Sequence, residues 1–222
     1  MSKKVGIFVP ARLSSQRLPN KQILPIGDTC MFEICCRKLE ELSKEYNTYV
    51  LIADHELIEI AKKYPSVKII ERDPDTCKVD GPLQYIFKEM RDVKDTHLLF
   101  LNPCLIFLPI ETIRNSITKF IESEADYATS VKPIQNWIMD ENLNMVNEIN
   151  YQRLTTKEIT PWYQTAHCFH VFNKDNFFKD GYMLKDGFMG LPIPVEETVD
   201  IDTYDEYLYA KWLWESGMFK RD

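Results

Sequence analysis

The chain has 222 residues, 45% of them hydrophobic, and its 34 acidic and 27 basic side chains leave a formal net charge of −7. That supplies one sizeable core without requiring a second full domain. The acidic balance argues against a broad nucleic-acid footprint, which needs an excess of Lys and Arg, and no apolar run approaches the roughly 20 residues of a membrane span. Six cysteines are scattered with no C-x-x-C pair and no histidine at zinc-ligand spacing, as expected of reduced thiols in a cytoplasmic protein. Met1-Ser2-Lys3-Lys4 leads straight into an apolar stretch rather than a secretory leader.

In chain order, Val5 to Val9 reads as a buried strand that empties into the polar loop Pro10-Ala11-Arg12-Leu13-Ser14-Ser15-Gln16-Arg17-Leu18-Pro19-Asn20-Lys21. Ligands of open α/β sheets sit at the carboxyl ends of strands. Three cations, hydroxyls and free backbone N–H groups in one short loop suit a polyphosphate. A short apolar run over Ile23 to Ile26 and a turn at Gly27-Asp28-Thr29 precede a helix over 30–45, where Met31, Ile34, Cys35, Lys38, Leu39 and Leu42 recur at helical spacing. Strands follow at Thr48 to Ala53 and Val67 to Glu71, separated by a helix over Glu56 to Tyr64 that ends at Pro65. Asp54, at the carboxyl end of a strand, is placed to cap that helix.

Leu83 to Met90 reads as a helix, Thr96 to Leu101 as the most apolar strand and hence the centre of the sheet, and Ile110 to Ile121 as a further helix. A strand over Asp126 to Val131 gives way to an irregular stretch over 133–161, and Gln164 to Phe172 returns as a strand carrying His167 and His170. Strand alternation places those two rings on opposite faces, which makes them poor joint ligands for one metal ion. Near the end, Glu196-Glu197-Thr198-Val199-Asp200-Ile201-Asp202-Thr203 precedes a closing helix over Tyr204 to Trp214. Alternation sets Asp200 and Asp202 on one side with Ile201 in the core. Adjacent carboxylates repel unless a cation lies near them, and hard oxygen ligands suit Mg²⁺.

The loop pattern P-A-R-x-x-S-x-R-L-P-x-K, followed far downstream by D-I-D-T, resembles the cytidylyltransferases that activate acidic sugars, the N-acylneuraminate and 3-deoxy-manno-octulosonate enzymes among them. The resemblance implies a three-layer, Rossmann-like α/β fold of the nucleotide-diphospho-sugar transferase type, with a mixed, mostly parallel sheet. It implies one domain over 1–222, with an insertion around 133–165 that sets specificity and builds a homodimer. Residue by residue, Arg12 and Lys21 then hold the triphosphate of CTP, with Pro10, Ala11, Ser14 and Ser15 lining the turn. Arg72, after its strand, becomes a nucleotide contact, Asp80 and Lys78 weaker ones, and Asn102 a nucleotide or sugar contact. Gln164, His167 and His170 fall to the acceptor, although a hydrogen-bonded, half-buried histidine is the plainer reading of either ring. Asp200 and Asp202 position Mg²⁺.

Two departures stand out. Many family loops carry a glycine just after the arginine, where this chain has Leu13-Ser14-Ser15, and the octulosonate branch has a metal-binding aspartate where this chain has Asn102. The implied reaction is in-line nucleotidyl transfer: an acceptor oxygen attacks the α-phosphorus of CTP and expels pyrophosphate, giving a CMP-sugar. The partners are CTP and a small acidic acceptor, a phosphorylated or phosphonate acceptor also being open. The alternatives are a glycosyltransferase using the D-x-D pair, although that pair normally follows a mid-chain strand, and a silent nucleotide-binding module.

Overall fold

Alternation along the first strand, β1 (Val5–Pro10), sends Val5, Ile7 and Val9 into one hydrophobic cluster and Phe8 into another on the opposite face of the sheet. A strand covered on both faces reads as a continuous apolar run, and this double burial is its cause. The computed structural model describes residues 3–78, 81–148, 152 and 155–219. After β1 come a two-strand hairpin, β2 (Pro25–Ile26) with β3 (Thr29–Cys30), then α1 (Met31–Leu42), β4 (Asn47–Ile52), α2 (His55–Ala61), β5 (Lys68–Glu71), α3 (Leu83–Ile86), β6 (His97–Leu101) and α4 (Ile110–Glu122). The remainder is β7 (Tyr127–Ile134), β8 (Trp162–Asn173), α5 (Lys174–Asp180), β9 (Met189–Pro192) and α6 (Tyr204–Glu215).

The main sheet has the order β5-β4-β1-β6-β8-β7-β9 and is parallel except where β8 runs antiparallel to β6 and β7. β6 is the central strand, as its apolarity predicts. The chain leaves β1 towards β4 and β5 and later returns to the other side of β1 with β6, so the switch point of the sheet lies between β1 and β6. That is where an open α/β sheet presents a crevice at its carboxyl edge. Leu39 of α1, Leu57 of α2 and Ile113 of α4 cover the face that includes Ile7; Phe87, Met90 and Phe177 cover the face that includes Phe8. A third cluster joins Leu18 of the first loop to Met31 and Phe107, and to Ile201 and Tyr207 from the far end of the chain.

Some predicted elements change, and two are added. The expected helix over 83–90 is only α3 and a 3₁₀ turn, Lys88–Asp92. β7 extends to Ile134 through Pro133, which lies beyond the register with β9 and so withholds no N–H from that neighbour. β9 and α5 are additions that local sequence conceals: Met189–Pro192 contains Gly190 and Pro192, both poor strand signals, and forms by pairing with β7. All six cysteines are buried free thiols, and burial pushes Cys35 and Cys168 up to about 12. Among the described residues no helix is long and apolar enough to cross a membrane.

Gly6 is required by a close approach rather than a turn. A Cβ there would lie 2.6 Å from Asp95 Oδ2, and that carboxylate cannot swing away, because Tyr49 Oη donates to it at 2.7 Å and Asn47 Nδ2 at 2.9 Å. Gly6→Ala is therefore expected to destabilise the fold by about 1–3 kcal/mol, the usual cost of overpacking, measured as a lowered urea midpoint.

Candidate active site

A cleft of about 540 Å³ opens at the switch point, lined by Pro10, Ala11, Arg12, Ser15 and Lys21 together with Arg72 and Asn102, all seven of which were expected at a nucleotide site. Ser14 is not among the lining residues, and Asp80 lies outside the described residues. The cleft also takes in Arg17, Gln22, Phe87, Phe100 and Cys104. No role was read from these five, although Arg17 is one of the loop's three cations. The aromatic residues arrive from strands and turns whose periodicity marks them only as core.

The loop is shaped by main-chain anchors. Asp54 is the N-cap residue of α2, but its side chain makes no cap bond there; its Oδ2 accepts the Leu13 N–H at 3.1 Å. The Leu13 carbonyl accepts from Ser15 N at 2.9 Å and Asn20 N at 3.0 Å, and Asn20 takes the left-handed conformation at φ 57°. Leu13 itself packs on the core. These contacts define the backbone path without the family's glycine. From the other side, the Cys77 carbonyl accepts from Arg12 Nη1 at 2.8 Å and from Ser14 Oγ at 2.9 Å. Arg72 is buried, with Nε donating to Thr76 Oγ1 at 2.9 Å and Nη2 to the Thr76 carbonyl at 2.7 Å. It braces the turn that presents the Cys77 carbonyl to the loop.

The terminal motif reaches the same cleft. Residues 198–202 form no strand, yet Ile201 is fully buried and the two aspartates lie together. Thr203 caps α6 in a reciprocal box with Glu206, whose Oε2 accepts from Thr203 N at 2.8 Å and Asp202 N at 2.9 Å. Capping thus falls to Thr203 and leaves the Asp202 carboxylate to cations. Lys21 Nζ sits 2.7 Å from Asp202 Oδ1 and donates to the Ile201 carbonyl at 3.2 Å, and Arg17 Nη2 lies 2.9 Å from Asp202 Oδ2. Burial disfavours the Lys21 ammonium, but Cys104 and Asp202 more than offset it and its pKa is raised.

Asp200, Asp202 and Cys104 bring ligand atoms within 4.8 Å of one another. Burial, followed by the charge of Asp202, raises the Asp200 pKa, and its Oδ1 is buried with no hydrogen-bond partner among the described residues. An orphaned carboxylate oxygen beside a second carboxylate fits a hard divalent cation such as Mg²⁺. Burial likewise pushes the Cys104 thiol up.

On the other side of β6, Asn102 Nδ2 donates to the His167 carbonyl at 3.1 Å and its Oδ1 accepts from Cys104 N at 3.0 Å. The expectation that His167 and His170 face apart is wrong. β8 slips register between Thr165↔Val131 and His170↔Thr129, His167 takes φ 54°, and the two rings meet 5.8 Å apart. A bulge resets the alternation on which that expectation rested, and Ser130 Oγ holds it by accepting from Cys168 N at 2.9 Å and Phe169 N at 3.2 Å. His167 is exposed, with Nε2 3.0 Å from Thr165 Oγ1, and Gln164 is exposed beyond it. His170 is buried against Phe100, its Nδ1 2.8 Å from Thr129 Oγ1.

A cationic loop and a carboxylate pair meeting at the switch point of a mostly parallel sheet define a nucleotide-handling α/β protein. A family model described as Cytidylyltransferase matches residues 6–191, and the chain belongs to that family. It is 24% identical, over 94% of its own length and 95% of the relative's, to a pseudaminic acid cytidylyltransferase of Campylobacter jejuni serotype O:2. Among solved structures, it resembles a CMP:2-keto-3-deoxy-manno-octonic acid synthetase complexed with CTP, at TM-score 0.71 and 13% identity over 96% of this chain and 99% of the other. It also resembles a 4-diphosphocytidyl-2C-methyl-D-erythritol synthase of Anaerococcus prevotii, at TM-score 0.65 and 12% identity with the same coverage.

Two outcomes test the electrostatics. An aspartate whose folded pKa is raised loses stability as pH climbs through that pKa. At neutral pH Asp200→Asn is accordingly expected to raise the melting temperature by roughly 2–4 °C, the effect of about 1 kcal/mol in a chain of this size, while turnover falls. His170 is depressed from the ordinary 6.5 to about 4, by burial and then by His167. The unfolded chain therefore takes up a proton that the fold refuses, and stability falls as pH drops through that window, by up to about 1.4 kcal/mol per pH unit. Urea midpoints of wild type and His170→Gln between those limits should differ by that slope.

Proposed function

We propose that this cytidylyltransferase transfers CMP from CTP to an acidic sugar of the 2-keto acid type, releasing pyrophosphate and forming a CMP-sugar for surface glycans. The observation that carries the reading is the meeting of Arg12, Arg17 and Lys21 with Asp200 and Asp202 across nearly the whole chain, at the mouth of one cleft. A nine-carbon acid such as pseudaminic acid is favoured as acceptor, because the similarity to the Campylobacter enzyme runs almost end to end.

In this reading Arg12, Arg17 and Lys21 bind the triphosphate and neutralise charge that grows on the leaving pyrophosphate. The Cys77 carbonyl orients Arg12 before substrate arrives. Phe87 and Phe100 give the nucleoside an apolar wall, and buried Gln22 offers an amide at the floor. His167 and Gln164 face the acceptor from β8, with Asn102 holding the His167 backbone. Asp200 and Asp202 would hold Mg²⁺, which when bound supplies charge neutralisation on the phosphates. No covalent nucleophile is needed, because positioning and electrostatics suffice for transfer at phosphorus.

We read the chain as a single domain. The outer end of the β7–β8 ribbon carries exposed Trp162 and Tyr163 and suits the contact between two copies of a cytoplasmic homodimer.

The test is pyrophosphate release from each of the four nucleoside triphosphates with Mg²⁺, against a panel of sugar acids and phosphorylated small molecules. Release should require CTP and a sugar acid, and Arg12→Ala should lower kcat/KM by about 10²–10³. Turnover with only a phosphorylated acceptor would overturn the sugar-acid assignment, and failure of CTP to protect the protein against heat would overturn nucleotide binding.

A further inference from the structure

Lys21 and Asp202 are each other's partners in the free protein, yet the reading above gives Lys21 to phosphate and Asp202 to a divalent cation. Both oxygens of Asp202 are engaged, Oδ1 by Lys21 at 2.7 Å and Oδ2 by Arg17 at 2.9 Å. The backbone on either side is pinned. Glu206 accepts the Asp202 N–H, and Lys21 donates to the Ile201 carbonyl. Lys21 is almost buried, its side chain 13% exposed, whereas Arg17 is 66% exposed. An exposed arginine on a single carboxylate is weakly held, so this pair is easily exchanged. Both cations also line the cleft that the triphosphate would enter.

We propose that Arg17 has a second role before nucleotide binds: with Lys21 it occupies Asp202 as a resident counter-cation and keeps the carboxylate pair closed to divalent metal until a polyphosphate draws the two side chains away. The inference rests on the reading of the cleft as a nucleoside triphosphate site. Charge balances on exchange. Two side-chain cations pass from carboxylate to phosphate, and Asp202 with Asp200 is left to accept a divalent ion. Nucleotide and metal then strengthen each other's binding, each raising the other's affinity by the same factor. Both aspartates are thereby shielded from adventitious divalent ions while no nucleotide is bound.

The experiment measures Mn²⁺ binding to the nucleotide-free protein by electron paramagnetic resonance, a readout independent of turnover. Wild type should bind Mn²⁺ weakly at this site. Arg17→Ala should tighten binding about three- to tenfold, corresponding to about 0.6–1.4 kcal/mol. Arg17→Lys should restore the wild-type value, and adding Asp202→Asn should cancel the gain. Arg12→Ala, which removes a cleft cation bonded to the Cys77 carbonyl, serves as a control for net charge and should leave Mn²⁺ affinity unchanged. If Arg17→Ala leaves Mn²⁺ affinity unchanged or weakens it, or if Arg12→Ala tightens it equally, the inference fails, even when the wild-type protein makes a CMP-sugar. Failure of the wild-type protein to bind CTP would strike the functional reading separately.

Discussion

The joint between the first loop and the last motif is the constraint on which the site depends. It has an apolar half and a charged half. Leu18 from the loop and Ile201 from the motif are buried in one cluster with Met31 and Phe107. Above it Lys21 and Arg17 cross to Asp202. The apolar contacts set where the two chain segments meet, and the ion pairs set which side chains face one another there. Without the buried isoleucine the aspartates would have no defined height in the cleft. Without the cations, two carboxylates so close would repel each other.

The loop after β1 shows how a strained-looking turn is stabilised without glycine. Asp54 takes the Leu13 amide, the Leu13 carbonyl takes two amides in return, and the Arg72-braced turn offers the Cys77 carbonyl to Arg12 and Ser14. Each anchor comes from the carboxyl end of a different strand. β1 delivers the loop, β4 delivers Asp54 and β5 delivers Arg72. Because the three strands are parallel neighbours, their ends converge on one edge of the sheet. Donors fixed before substrate arrives require no reorganisation during reaction, which is the physical basis of electrostatic catalysis.

The far side of the cleft is built differently, from the reversed strand. β8 runs against its neighbours and bulges where it passes Thr129 and Ser130. The bulge turns His167 outward with its ring against His170, and Asn102 at the end of β6 ties the bulge to the cleft. Strain and unusual backbone concentrate where a chain must aim a side chain rather than merely pack it. At this junction the Asn102 amide bridges the His167 carbonyl and the Cys104 N–H.

What local sequence determines here is whatever depends on period and composition. The apolar runs of β1, β4 and β6 are legible because both of their faces are buried, and α1 and α4 because one face of each is. The cationic loop and D-I-D-T are legible because their residue types admit few other uses. Four features were decided only by tertiary structure. Asp54 binds the loop rather than its own helix because the loop's free amide lies within reach. Arg72 turns inward because Thr76 offers both a hydroxyl and a carbonyl. The histidines converge because β8 carries extra residues opposite β7. β9 forms because the edge of β7 is open to it. In each case the partner is distant in sequence or set by a register slip, and hydrogen-bond geometry between separate segments has no periodic trace along the chain.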